Sequence, residues 1–225
     1  MKIILFANTR HDLLTWKRLA QAEVDVVICD VSAYGDVATN LTDATVISPS
    51  QLDEMEEDEP RVFWFMLPQS RIVDVYLPFL KPILRVGDVV LDSSHSEPAQ
   101  SQRRARDVES VGTDYFDIGT NASHSVYLVG GSENAMSRLK SFFLCLRRFC
   151  PVLHLGPVGS SHFAVQICEF LETRVRQTYL EGKEKISASP FAETVDADNL
   201  LGIFSAYFDT LAGPHSSTSQ FAGVY

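Results

Sequence analysis

An alternation constrains the fold more than any other feature of this sequence. Short runs rich in β-branched and aromatic residues recur along it: "KIILFA" (2–7), "VDVVICD" (24–30), "ATVIS" (44–48), "RVFWFMLP" (61–68), "DVVLDSS" (88–94), "DYFDIG" (114–119), "VYLVGG" (126–131) and "VLHLG" (152–156). Between them lie stretches with helical spacing. One starts at Leu13, with Asp12 as N-cap and Trp16, Leu19 and Ala20 on one side. Others are "RIVDVYLPFLKPIL" (71–84), "EPAQSQRRARDVESVG" (97–112, Pro98 in its first turn) and "ENAMSRLKSFFLCLRRF" (133–149). The acidic "LDEMEEDEP" (52–60) is expected to close a further helix with a solvated end. Strands that alternate with helices pack as a doubly wound, mostly parallel α/β sheet, because each crossover must bury its apolar face on that sheet. A long helix from His162 to Ile186 and a second around "NLLGIFSAYFDTL" (199–211) then form a short all-helical C-terminal extension.

Charge narrows the partners. With a net charge of −10, the average field repels phosphate backbones, which argues against nucleic acid. Arg103, Arg104 and Arg106 read as one solvated helix face rather than a basic stripe. After Lys2 only five residues are apolar, too short for a signal-peptide core, and no run is long enough for a membrane helix. Cys29, Cys145, Cys150 and Cys168 form no C-x-x-C pair and read as buried free thiols, which points to the reducing cytoplasm. There is no internal repeat, and the Ser/Thr-rich end (213–225) reads as a flexible tail.

In a doubly wound sheet the first strand-to-helix turn usually carries G-x-G-x-x-G, so that backbone can approach a dinucleotide's pyrophosphate at a helix N-terminus. Here Ala7, Thr9 and Asp12 stand at the three glycine positions, within a degenerate loop that includes Asn8, Thr9 and Arg10. A carboxylate at Asp12 would face the pyrophosphate. Asp30, closing the second strand, could hold a ribose hydroxyl.

The stretches "LKPILRVGDVVLDSSHSE", "QRRARDVESVGTDYFDIGT", "VYLVGGSENAM" and "LHLGPVGSSHFAVQICEFLETRVRQTYLEG" together resemble the decarboxylating 6-phosphogluconate dehydrogenases of the β-hydroxyacid dehydrogenase superfamily. The resemblance runs over about residues 1 to 187 and implies a Rossmann-like domain (1–157), a truncated helical dimerisation segment (158–212) and the tail. It also implies that much of the family's site has changed. The residue that reads the NADP 2′-phosphate falls near Val31 and Ser32. The family's D-G-G-N-S becomes "DSSHS", with Ser93, Ser94 and His95 in place of two glycines and an asparagine. Its S-G-G becomes Asn121, Ala122 and Ser123. The general-base lysine falls on Val165, the His-Asn pair on Cys168 and Glu169, and the neighbouring tyrosine on Thr173; the acid survives as Glu172 and the G-H-F histidine as His162. The resemblance further leads to the expectation that the rest of the helical domain, by which the family dimerises and completes its sites, is absent here.

Val165, Glu169 and Glu172 lie at i, i+4 and i+7, one helix face, and valine cannot accept the 3-hydroxyl proton. Glu172 reads either as a surviving acid or as the partner of Arg176. His162 reads as a cap, a packing group or a ligand contact. Ser93, Ser94, His95, Thr120, Asn121, Ser123 and His124 form a polar rim at the strands' carboxyl ends, where open sheets bind ligands. The expectation is a diverged member that has lost NADP-dependent oxidation and binds a small polar molecule or partner between that rim and the Glu169–Glu172 face, with no cofactor and no metal. One alternative is a cofactor-independent isomerase, lyase or decarboxylase using Glu169, Glu172 and the histidines. Another is a dehydrogenase that binds NAD or NADP atypically. A homodimer through the C-terminal helices is also expected.

Overall fold

The computed structural model describes residues 2–7, 13–32, 44–55, 59–120, 126–200 and 202–203. Among the described residues, eight strands form one sheet: β1 (Lys2–Ala7), β2 (Val26–Asp30), β3 (Thr45–Ile47), β4 (Arg61–Met66), β5 (Val89–Asp92), β6 (Asp114–Thr120), β7 (Tyr127–Gly130) and β8 (Val152–Gly156). Their order is β3-β2-β1-β4-β5-β6-β7-β8. Strands β3 to β6 of that order run parallel, and β7 pairs antiparallel with β6. The chain therefore has the doubly wound, mostly parallel sheet expected of it, with one reversal where a short connection replaces a crossover helix.

Alternation along each strand feeds two cores. Ile3 and Leu5 of β1 join Trp64, Leu91, Phe116 and Ile118 on one face. That face is covered by Trp16 and Leu19 of α1 (Leu13–Gln21) and by α4 (Glu133–Arg138) and α5 (Lys140–Leu146). Ile4 and Phe6 point the other way, with Phe63, Phe65, Val90 and Tyr115, beneath α2 (Ser70–Leu80) and α3 (Pro98–Glu109). Both faces are apolar because both are covered, which is why these strands read as continuous hydrophobic runs.

Three local expectations need correction. Ala20 is exposed, and Thr15 is buried on α1 instead. The segment expected as one helix over 133–149 breaks at Leu139 (φ −91°, ψ 14°). The break turns the chain so that Leu139, Phe142, Phe143 and Leu146 all reach the core. The acidic stretch follows a single 3₁₀ turn, Pro49–Gln51, set by Pro49 and a Ser48–Gln51 capping box. Residues 52–55 then continue without helix.

The chain divides into two compact units, Met1–Val165 and Gln166–Tyr225. The long helix α6 (Ser160–Ser187) begins in the first, and of its residues only Ser161 and His162 are buried. Among the described residues no helix is long and apolar enough to cross a membrane.

Candidate functional site

Parallel strands bring the carboxyl ends of β1, β2, β4, β5 and β6 to one edge. β5 ends there at Asp92, which is fully buried. Its Oδ1 accepts from the Ser94 amide (2.9 Å) and hydroxyl (2.6 Å), an Asx turn that starts the 93–97 loop. Its Oδ2 accepts from Arg104 Nη1 (2.8 Å) and the Tyr115 hydroxyl (2.5 Å). Arg104 is also buried. Its Nε donates to Asp74 (2.9 Å), Nη1 also to Ser96 Oγ (2.6 Å), and Nη2 to the Ser70 carbonyl and hydroxyl (2.7 and 2.8 Å).

This overturns the reading of three solvated arginines. Arg103 and Arg106 are exposed, but Arg104 shares the inward phase of Ser101, Ala105 and Val108 on α3. Burial opposes its charge, but the hydrogen bond to Asp74 and the charges of Asp92 and Asp74 outweigh that and raise its pKa. Asp74 shows the counterpart: desolvation pushes its pKa up, and the bond and charge of Arg104 with the charge of Arg103 bring it below the usual range. Burial first, then the Asp92 charge, raise Tyr115 well above an ordinary phenol.

The loop after β5 is thereby fixed. Ser94 and Ser96 are buried and share a hydroxyl contact (2.7 Å). Ser93 is half-buried; its amide bonds Phe65 O, and its hydroxyl accepts from the buried Trp64 indole (2.7 Å). Of the three predicted loop residues, Ser94 faces inward, Ser93 lies at the margin, and His95 is exposed.

A second anchor joins β6 to α6. Asp117, wholly buried, accepts from the Gly159 amide (2.7 Å) and the His162 amide (2.9 Å), so an internal carboxylate occupies the helix N-terminus. Gly159 has φ +96°, a left-handed conformation suited to glycine. Ser161 Oγ donates to Leu128 O (2.9 Å). His162 is buried, with Nδ1 2.7 Å from Ser101 Oγ and, among the described residues, no partner for its buried Nε2. It packs α6 against α3. Val165 sits so close to β6 that a Cβ added at Gly119 would collide with its Cγ2.

Thr120, half-buried, ends β6. Asn121, Ser123 and His124 lie outside the described residues, as do Asn8, Thr9, Arg10 and Asp12. Glu169 and Glu172 are exposed on α6, in the second unit, and no ion pair joins Glu172 to Arg176 among the described residues. On the cofactor half, Asp30 stands beside Ala7 and accepts from the Ser32 amide (2.8 Å) and hydroxyl (2.6 Å). That end of β2 fits a ribose diol and does not fit a 2′-phosphate, which the carboxylate would repel. No group of His, Cys, Asp and Glu able to hold a metal ion occurs among the described residues. Arg104 and Asp117 escaped the sequence reading. The helical phase of Arg104 with Ala105 and Val108 was the available signal, whereas nothing local marks Asp117.

The family model for the NAD-binding domain of 6-phosphogluconate dehydrogenase matches residues 15–155. The chain belongs to this family. Among curated relatives, it is 28% identical over 194 residues to YqeC of Bacillus subtilis (strain 168), whose name assigns it provisionally to 6-phosphogluconate dehydrogenase. It is 30% identical over 178 residues to an NAD(+)-dependent, decarboxylating 6-phosphogluconate dehydrogenase of Haloferax volcanii. These alignments cover 83% and 76% of this chain but 60% and 58% of the relatives, so the chain spans about three fifths of their length. An imine reductase from Myxococcus stipitatus, solved in complex with NAD+, superposes with a TM-score of 0.75 at 12% identity, covering 94% of this chain and 73% of that one. That likeness is one of fold.

Proposed function

We propose that this family member no longer oxidises 6-phosphogluconate with NADP and that it holds a small polar ligand at the carboxyl edge of β5 and β6. One observation carries the reading. The position that resembles the family's general base is Val165, whose methyl group packs on the backbone of Gly119 and offers no atom to take a proton. General acid–base help is worth about 10² to 10⁴ in rate. Ala7, Thr9 and Asp12 at the glycine positions support the same reading. The test is to mix purified protein with 6-phosphogluconate and either NADP+ or NAD+ and follow cofactor absorbance. No reduced cofactor is expected, and substrate-dependent NADPH formation proportional to protein overturns the proposal.

Asp30 favours a second reading, an NAD-type cofactor held atypically. Its carboxylate at the end of β2 suits a ribose diol. Titrating NADH and NADPH against tryptophan fluorescence separates the two. The first reading predicts millimolar or weaker binding of both, the second a saturable response to NADH alone. The apolar row Phe163, Ile167, Phe170, Leu171 and Val175, all exposed on α6, supports a second copy of the chain as partner. Four unpaired thiols suit a reducing compartment such as the cytoplasm.

A further inference from the structure

We infer that the ligand of the β5–β6 edge is an uncharged, hydroxyl-bearing molecule of the polyol class, bearing neither a phosphate or carboxylate nor an amine. The inference rests on the ligand-site reading above and deepens it. The charges that the two strand ends bring to this edge are already spent internally. Arg104 directs its five N–H donors at Asp74, Asp92, Ser96 and the carbonyl and hydroxyl of Ser70. An arriving anion would have to displace a buried partner to reach it, which leaves that partner's charge or dipole uncompensated. The partial positive charge at the α6 N-terminus is satisfied in the same way, since Asp117 takes the Gly159 and His162 amides.

The anions are equally committed. Asp92 Oδ1 is filled by Ser94, and Oδ2 by Arg104 and Tyr115. Asp117 is wholly buried against those two amides. An ammonium group therefore gains no carboxylate from either strand end. The Ser93 hydroxyl differs from its neighbours. Its oxygen accepts from Trp64, which leaves its own proton to donate, and it lies at the margin of the core while Ser94 next to it is buried. A hydroxyl donor beside Asp92, Asp117 and Arg104, all three already bonded internally, recognises hydroxyl and ether oxygens better than ions.

The Trp64 indole N–H, bonded to Ser93, reports on this edge directly, and Trp16 on α1 serves as control. The experiment is a nitrogen–proton correlation spectrum of the full chain at pH 8, where imidazoles of ordinary basicity are neutral. Sorbitol, myo-inositol, inorganic phosphate, 6-phosphogluconate and putrescine are titrated separately. A saturable shift of the Trp64 indole signal with a polyol, lost in Ser93→Ala while Trp16 keeps its position, supports the inference. A saturable shift with phosphate, 6-phosphogluconate or putrescine overturns the ligand class but keeps the ligand site. If none of the five moves Trp64, the site reading itself falls, and the inference with it.

Discussion

Arg104 shows what a single buried residue can decide. Its guanidinium is 1% exposed and meets two carboxylates, Asp74 and Asp92. Removing one member of a buried pair costs about 3–5 kcal/mol, because the remaining charge is left in a poor solvent. Arg104→Ala should lose that much in urea denaturation, and Arg104→Lys should recover only part of it, since an ammonium cannot span these acceptors. The pair also sets an acid limb. Asp74 has a depressed pKa when folded, so its contribution is present above the unfolded value of about 3.9 and lost as pH falls through the folded one. Urea midpoints of the native chain should drop below about pH 4 more steeply than those of Asp74→Asn. Cys29 contributes on the alkaline side. Burial and the neighbouring Asp30 push its thiol up to about 12. A pKa raised by folding stabilises fully below the unfolded value and loses that effect as pH climbs to the folded one, so stability should decline from about pH 9. Cys29→Ala should flatten that decline, and native Cys29 should resist a disulfide reagent that labels Cys145 and Cys168, which are only partly buried where all four thiols were expected to be buried.

At the scale of elements, the first turn of α6 is fastened to the sheet by close backbone approach. A Cβ at Gly130 would strike the Asp117 carboxylate and crowd Ser160 Oγ, so Gly130→Ala should disturb the helix cap. Overpacking of this kind costs about 1–3 kcal/mol. Hydrogen exchange should accelerate at the Gly159 and His162 amides more than in α2; equal protection in both proteins would reject this account of the cap. The elements themselves were largely legible in the sequence, because strands covered on both faces read as unbroken apolar runs and Pro98 marked the start of α3. Less legible was whatever depends on partners far along the chain. Asp117 meets Gly159 across 42 positions and Arg61 meets Asp88 across 27, and no local spacing announces either pair. Leu139 broke a regular helical pattern because the core needed the next turn redirected. The cluster of Ser and His after β5 suggested a polar rim, but its sequence did not reveal that Ser94 faces inward while Ser93 stays at the margin.

For the whole molecule, the exposed row on α6 leads to a solution property. An apolar row left open to water on a helix is a surface that a second copy of the chain can cover. The full chain should therefore scatter light as a dimer at tens of micromolar, and Phe170→Glu with Val175→Glu should shift it toward a monomer; a monomer already present in the unmodified chain would reject the proposed second copy. The strand order carries another consequence, this one in the time domain of synthesis. β1 lies inside the sheet, and its register with β4 pairs Lys2 with Arg61 and Ala7 with Met66. A ribosome adding about 5–20 residues per second reaches β4 only several seconds after β1 has been made. Throughout that interval "KIILFA" has one of its two neighbours at most, and its apolar residues stand open to any other nascent chain. The sheet's interior position for β1 should therefore make the yield of folded protein sensitive to translation speed and to chaperone occupancy of the emerging chain.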